Sequence, residues 1–471
     1  MRINVANELP KVMTAGGAQA ARIDPEQELR RSVASCLLWE SSHYEAGESI
    51  ADRIAALVPK CRPEFVAACA YEARTKMHLR HAPLLLVREM ARHDTHKHLV
   101  AHLLRDVIQR ADELAEFLAI FAKDRTGHKK LNKLPAQVKK GLASAFRKFD
   151  EHALAKYNRD NAIKLRDVLF LCHAKPKGDE QAALWKRLVE GKLASPETWE
   201  NRLSRGEDKK ATFEQMMAEG DLGALAFIRN LRNMKEAGVE KAAVLGYSRA
   251  VNLSRVLPFR YVAAARVVPE WEDVLDGMLL RSSEQATKLP GKTVVIVDVS
   301  GSMSSGHVSA KSDMTRLDAA GALAAILREQ CEDCRLYATA GNDHTRVHAT
   351  MAVPPRRGMA LVETFTKAHS GYGLFRTIGS GGIFLKQCLD WVGEREGFTA
   401  DRVIVLTDEQ DCDNKASPKD ARAFGAHNYL LNVSVEKNGI GYGKFTHIDG
   451  WSEAVIEYVK ACEKIDPPTG Q

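Results

Sequence analysis

The segment KTVVIVDVSGSM, residues 292–303, constrains this chain more than any other stretch of its 471 residues. Its β-branched run is too short and too apolar for anything but a buried strand, and the Pro290-Gly291 step before it punctuates a change of character. Runs of the same kind recur at RVIVLTD (402–408), NYLLNVSV (428–435) and, more weakly, RLYATA (335–340). The helical patterns TRLDAAGALAAILREQ, IFLKQCLDWVGERE and SEAVIEYVKACEK intervene and follow. Strands alternating with helices predict a parallel, doubly wound α/β sheet over 288–471. Such sheets bind ligands beyond the carboxyl ends of their strands. There the chain places Asp298, Ser300 and Ser302, three hard oxygen donors at alternate positions, and the strand RVIVLTD brings Asp408 to the same crevice. Few protein oxygens, with water completing the shell, predict Mg2+ or Mn2+ rather than Ca2+. An Asp-x-Ser-x-Ser string alone would equally describe a capped loop; its place after a buried strand gives it weight.

Upstream, from about 29 to 270, the pattern is helical. In LVAHLLRDVIQRADELAEFLAIFAK, Leu99, Leu103, Val107, Ala111, Leu114 and Leu118 recur every three or four residues, the stripe of helix packed on a core. Serial helices of this kind can stack as a solenoid, although no fixed period marks one. A chain this long divides into domains. The expected division is a flexible lead-in over 1–28, a helical body over 29–287 and the α/β domain over 288–471. No apolar run reaches the roughly 18 residues of a spanning helix, and the first thirty residues lack the apolar centre of a secretory signal. A cytoplasmic location with no membrane partner is the expectation. Nine scattered cysteines fit reduced thiols, and the lone CxxC pair, Cys331 and Cys334, reads as structural rather than as a redox or zinc site.

The net charge of +7 is unevenly spread, with −3 over residues 291–471 and +10 over the remainder. Between Arg125 and Phe149 there is no acidic residue, while Lys129, Lys130, Lys133, Lys139, Lys140, Arg147 and Lys148 add seven cations to Arg125. A solvated helix face explains most charge runs. So many cations without a carboxylate favour nucleic-acid phosphates, of RNA or DNA. Aromatic residues at 7% do not indicate a base-stacking platform.

KYNRDNAIKLRDVLFLCHAKP, residues 156–176, resembles the part of the TROVE module of Ro proteins in which a basic stretch leads into a D-L-L-x-L-x-H-x-K-P pattern. HYEAGESIADRIAALV and AYEARTKMHLRHAPLLL resemble that module's early helices, and LGALAFIRNLRNM and VLPFRYVAA its later T-A-L-x-R-N-L and H-P-F elements. The Asp298-Ser300-Ser302 loop resembles the metal-ion-dependent adhesion site of von Willebrand A domains. A TROVE module followed by an A-like domain is the Ro order, so the chain resembles the Ro autoantigen family, of bacterial type, over nearly its whole length.

The resemblance implies a HEAT-like, all-α ring closed by the A-like domain, monomeric, in a ribonucleoprotein that acts in RNA quality control and is not an enzyme. Y-like small noncoding RNA would bind the basic outer surface, and single-stranded 3′ ends of misfolded RNA would enter a central hole. Lys156 and His173 match positions of Y RNA contact, Arg159 stands one place from the family's second cation, and Arg229 and Arg232 fit the helix that lines the hole. Outside this motif, His173 would read as a partly buried residue at a helix end. In A domains a threonine joins the metal ligands; here Ile383 stands where it is expected, in Gly381-Gly382-Ile383. Ser380 or Thr377 could substitute, or the site is weakened, and the ligand set stops at Asp298, Ser300, Ser302 and Asp408. An exoribonuclease or an RNA-repair enzyme is the implied protein partner. Two other readings compete: a metal-dependent scaffold gripping an acidic protein, and a Mg2+-dependent RNA-processing enzyme using Asp298 and Asp408. The second lacks a phosphate-cradling G-x-x-x-x-G-K-[ST] loop.

Overall fold

A computed structural model describes residues 24–35, 47–75, 79–122, 134–158, 160–194, 198–254, 256, 259–284, 288–307, 314–366, 378, 381–414, 422–433, 444–449, 456, 459, 460, 462 and 463. Two compact units emerge, one made of Asp24–Glu40 and Ala46–Gly206, the other centred on Glu207–Gln471.

The first unit is helical. Its helices are α1 (Pro25–Ser35), α2 (Gly47–Leu57), α3 (Pro63–Thr75), α4 (His81–Arg92), α5 (Val100–Val107) and α6 (Asp112–Ala122). They continue with α7 (Ala136–Phe146), α8 (Glu151–Tyr157), α9 (Leu165–Leu171), α10 (Asp179–Glu190) and α11 (Trp199–Ser204). One continuous core runs beneath α1 to α10, from Leu29 through Leu84, Leu104, Phe117 and Phe146 to Leu188. At Gly141 of α7 an added Cβ would come within 2.9 Å of the Leu104 Cβ, so glycine sets the close approach of α5 and α7.

The apolar stripe from Leu99 to Leu118 is shared by two helices rather than one. Val107, Ala111, Leu114 and Leu118 are fully buried, Leu103 nearly so, and Leu99 only half-buried. Charged side chains hold the break between α5 and α6. Arg74 Nε donates to the Val107 carbonyl at 2.9 Å, and Lys148 Nζ donates to the carbonyls of Arg105, at 2.6 Å, and Ile108. Glu113 accepts from the backbone amides of Gln109 and Arg110, at 2.8 and 3.0 Å. Cations at the end of one helix and a carboxylate at the start of the next satisfy groups that the helices leave unpaired. Arg74 and Glu113, both buried, join at 2.8 Å.

The second unit opens with α12 (Lys209–Glu219), α13 (Ala224–Glu236), α14 (Lys241–Ala250), α15 (Phe259–Val267) and α16 (Glu272–Glu284). The α/β part follows as β1 (Leu289–Asp298), α17 (Gly301–Ser305), α18 (Arg316–Gln330), β2 (Cys331–Asn342) and β3 (Val347–Ala352). It ends with α19 (Gly358–Thr366), α20 (Leu385–Arg395), β4 (Ala400–Thr407), β5 (Gly425–Asn432) and β6 (Thr446–Asp449). Secondary structure thus changes from helix to strand at Leu289, whereas the compact unit that holds the sheet begins at Glu207.

The sheet order is β3-β2-β1-β4-β5-β6. Every pairing is parallel except β2 with β3, so the sheet is mixed, with an antiparallel edge strand that the sequence patterns did not mark. Strand order reverses between β1 and β4, which opens the crevice where doubly wound sheets take ligands. Val294, Ile296, Val403, Val405 and Leu430 pack with Leu385, Cys388 and Leu389 of α20 on one face. A reciprocal cap starts α18: Thr315 Oγ1 accepts from the Asp318 amide at 3.1 Å and Asp318 Oδ2 from the Thr315 amide at 2.7 Å. No helix among the described residues is long and apolar enough to cross a membrane.

Candidate functional site

Of the four oxygen donors singled out at the sheet, Asp298, Ser300 and Ser302 sit together in the loop after β1, and Asp408 follows the neighbouring strand β4. β1 and β4 pair from Thr293 opposite Arg402 to Val297 opposite Leu406, which leaves Asp298 beside Thr407 at the strand ends. The Thr407 hydroxyl donates to Asp298 Oδ2 at 2.6 Å, and the Ser300 amide donates to Asp298 Oδ1 at 2.8 Å. Burial and the nearby Asp408 carboxylate both raise the Asp298 pKa, against the hydroxyl bonds that lower it. The Ser300 and Ser302 hydroxyl oxygens lie 3.2 Å apart. Neighbouring corners of a Mg2+ octahedron with its short bonds are separated by about 3 Å. Two hydroxyls at that spacing beside a buried carboxylate fit a small divalent ion that keeps several waters.

Asp408 is engaged from another side. Its Oδ2 accepts from Arg316 Nη1 at 3.2 Å, and Arg316 is itself buried. Ile383 is fully buried in the sheet core, so it supplies packing and no ligand; Ser380 and Thr377 lie outside the described residues. Two further polar features were not anticipated. Asp318 forms an ion pair with Arg266 of α15, and His447 Nδ1 lies 2.8 Å from the buried Glu409, whose φ of 59° is left-handed. A signal for the first existed: T-R-L-D is a capping-box string, and it places Arg316 and Asp318 at the start of α18 beside the crevice.

The cationic candidates separate into groups. Lys129, Lys130, Lys133 and Arg159 lie outside the described residues. On α7, Lys140 is exposed and Lys139 half-buried. Lys148 corrects the reading of the charge run as one phosphate-facing surface: its ammonium group ends α5, and burial lowers its pKa. Arg147 turns the other way, its Nε donating to the Lys175 carbonyl at 2.9 Å. That bond ties the end of α7 to the loop after α9, where His173, Lys175 and Lys177 are all exposed. His173 takes a left-handed φ of 51° and stands in solvent rather than partly buried. Lys156, on α8, is exposed with its ammonium 5.9 Å from the Tyr157 ring centre.

Arg229 and Arg232 belong to the second unit, both exposed on α13. Arg232 pairs with Glu236 at 3.6 Å. Arg229 lies close enough to Arg260 of α15 to help lower the Arg260 pKa, although burial is the larger cause. The described structure thus joins Arg147 to the His173 loop and sets Arg229 by Arg260.

Residues 185–318 match the family model of the TROVE domain. This stretch of the chain is a TROVE-family domain. The TROVE match takes in Arg229 and Arg232 and continues through Asp298, Ser300 and Ser302, whereas Lys156 and His173 precede it. Telomerase protein component 1 of Mus musculus and of Rattus norvegicus each match at 29% identity over 111 residues, 22% of this chain and 4% of theirs. The TROVE-domain protein therefore corresponds to only a small part of those relatives. Among solved structures, the RO (RSR) protein of Deinococcus radiodurans matches with a TM-score of 0.59 and 16% identity, over 93% of this chain and 99% of that one. The fold is thus similar to that of a Ro protein over 93% of this chain.

Proposed function

We propose that this TROVE-domain protein binds folded RNA on the cationic face formed by the end of α7, α8 and the loop after α9, as a ribonucleoprotein component and not as an enzyme. The observation that carries the proposal is the Arg147–Lys175 bond, which gathers cations from two distant stretches of sequence into one exposed patch with His173 and Lys177. Phosphates neutralise such a patch, and duplex RNA is met through its shape and backbone. The TROVE match over residues 185–318 supports the same ligand, because TROVE and Ro proteins are RNA-binding. The finer reading assigns Y-like small noncoding RNA to this face and free 3′ ends of misfolded RNA to Arg229 and Arg232. It adds a Mg2+ or Mn2+ ion held by Asp298, Ser300, Ser302 and Asp408, and an exoribonuclease or RNA-repair enzyme as the protein that acts on the RNA.

The test is retention of a labelled stem-loop RNA with a single-stranded 3′ tail by the purified full chain at low ionic strength, in Mg2+. The RNA should be retained, released by added salt and recovered intact. A chain that retains no structured RNA at low ionic strength refutes the reading, and RNA cleaved by wild type but not by Asp298→Ala refutes its non-enzymatic part.

A further inference from the structure

Helix α9 presents an aromatic ring to solvent, where exposing it gains no burial. Leu165, Val168 and Leu169 face the core, while Phe170 is 59% exposed, more than any other large hydrophobic side chain among the described residues. On α9, Arg166 lies four residues, about one turn, before Phe170, and His173 lies just past the helix end with a left-handed φ of 51°. Both are exposed, and Lys175 and Lys177 follow in the loop that Arg147 anchors. The nearest carboxylate in sequence, Asp167, accepts from the Lys164 amide at 2.8 Å with one oxygen, and its other oxygen lies 3.9 Å from Arg166 Nε, a loose and exposed pair. The face therefore combines an uncovered π-surface with cations on either side.

Resting on the RNA-binding reading above, we infer that Phe170 stacks on an unpaired base of the bound RNA, with Arg166 and His173 holding the flanking phosphates. The occupant follows from charge and shape together. A flat apolar face asks for a flat apolar partner, and the surrounding cations ask for an anion; a nucleotide supplies both. Bases inside an A-form duplex are already stacked and cannot reach the ring, so the base must come from a loop, a bulge or an end. The ligand class is thereby narrowed from RNA in general to RNA with an unpaired nucleotide beside its helix.

The experiment compares two RNAs of equal length, a hairpin with an unpaired loop and a blunt, fully paired duplex, on the full-length wild type, Phe170→Ala and Phe170→Trp. Phe170→Ala should weaken hairpin binding by about tenfold or more, leave duplex binding unchanged and keep the salt dependence. Phe170→Trp should restore hairpin affinity. Because the ring is exposed, the melting temperature of Phe170→Ala should equal that of wild type, which separates stacking from misfolding. Equal hairpin affinity for wild type and Phe170→Ala, or equal losses on both RNAs, overturns the stacking role while leaving RNA binding intact. Poly-glutamate that binds wild type as tightly as the hairpin does, and is lost in Phe170→Ala, assigns the face to an acidic protein and overturns it too. Failure of wild type to bind either RNA sinks the broader reading itself.

Discussion

The charge run and its exceptions allow RNA binding to be separated from folding by a single set of substitutions. Lys140, Lys156 and Lys177 are exposed; Lys148, in the same run as Lys140, is exposed as well, but its ammonium group is bonded to the carbonyls that end α5. Replacing the first three by glutamine removes up to three phosphate contacts. The slope of log affinity against log salt should then become shallower by about 2 to 3. Between about 50 and 200 mM salt, a fourfold change, wild type should lose about 30-fold more affinity than the triple variant. Lys148→Met should behave oppositely. It strips a charged donor from two carbonyls, worth about 1–2 kcal/mol after allowance for partial exposure, and leaves the slope unchanged. Filter binding at several salt concentrations reads the slope, and urea unfolding reads the stability. If the triple variant keeps the wild-type slope, or if Lys148→Met flattens it without loss of stability, the division between phosphate-facing and structural cations is wrong.

Two other perturbations probe the helix break and the crevice. Glu113→Ala leaves buried Arg74 without its carboxylate and removes the acceptor of two part-buried backbone amides, so it should cost about 3–5 kcal/mol in urea unfolding, with part recovered in the double variant with Arg74→Met; a cost below about 1 kcal/mol would show that the pair is not what holds α5 to α6. Ile383→Thr restores a hydroxyl where the ligand set lacks one. Its metal-free form should be less stable, by about 1–3 kcal/mol for the lost packing, yet its melting temperature should rise more on addition of Mn2+ than that of wild type. An identical Mn2+ response in both would remove that position from the metal site.

How much of this was legible in the sequence depends on whether a feature is local. Asp298, Ser300 and Ser302 were legible because strand, loop and helix follow one another, and the parallel register that sets Asp298 beside Thr407 needs only the rule that ligands gather past strand ends. β3 was not, because Val347–Ala352 is an edge strand whose side chains are half-buried or exposed, so no apolar alternation marks it. The apolar string VLFL hid Phe170 for the opposite reason: four hydrophobic letters read as core, yet a helical turn of 3.6 residues must send one of them outward. The basic run shows the deeper limit. Arg147 and Lys148 are neighbours of like charge, and one reaches the Lys175 carbonyl of a distant loop while the other reaches the carbonyls that end α5. A sequence counts such cations alike. Only the positions of the carbonyls around them decide which has its charge already satisfied and which patch is left to attract a phosphate, so net charge predicts the sign of the partner and the fold chooses the contacts.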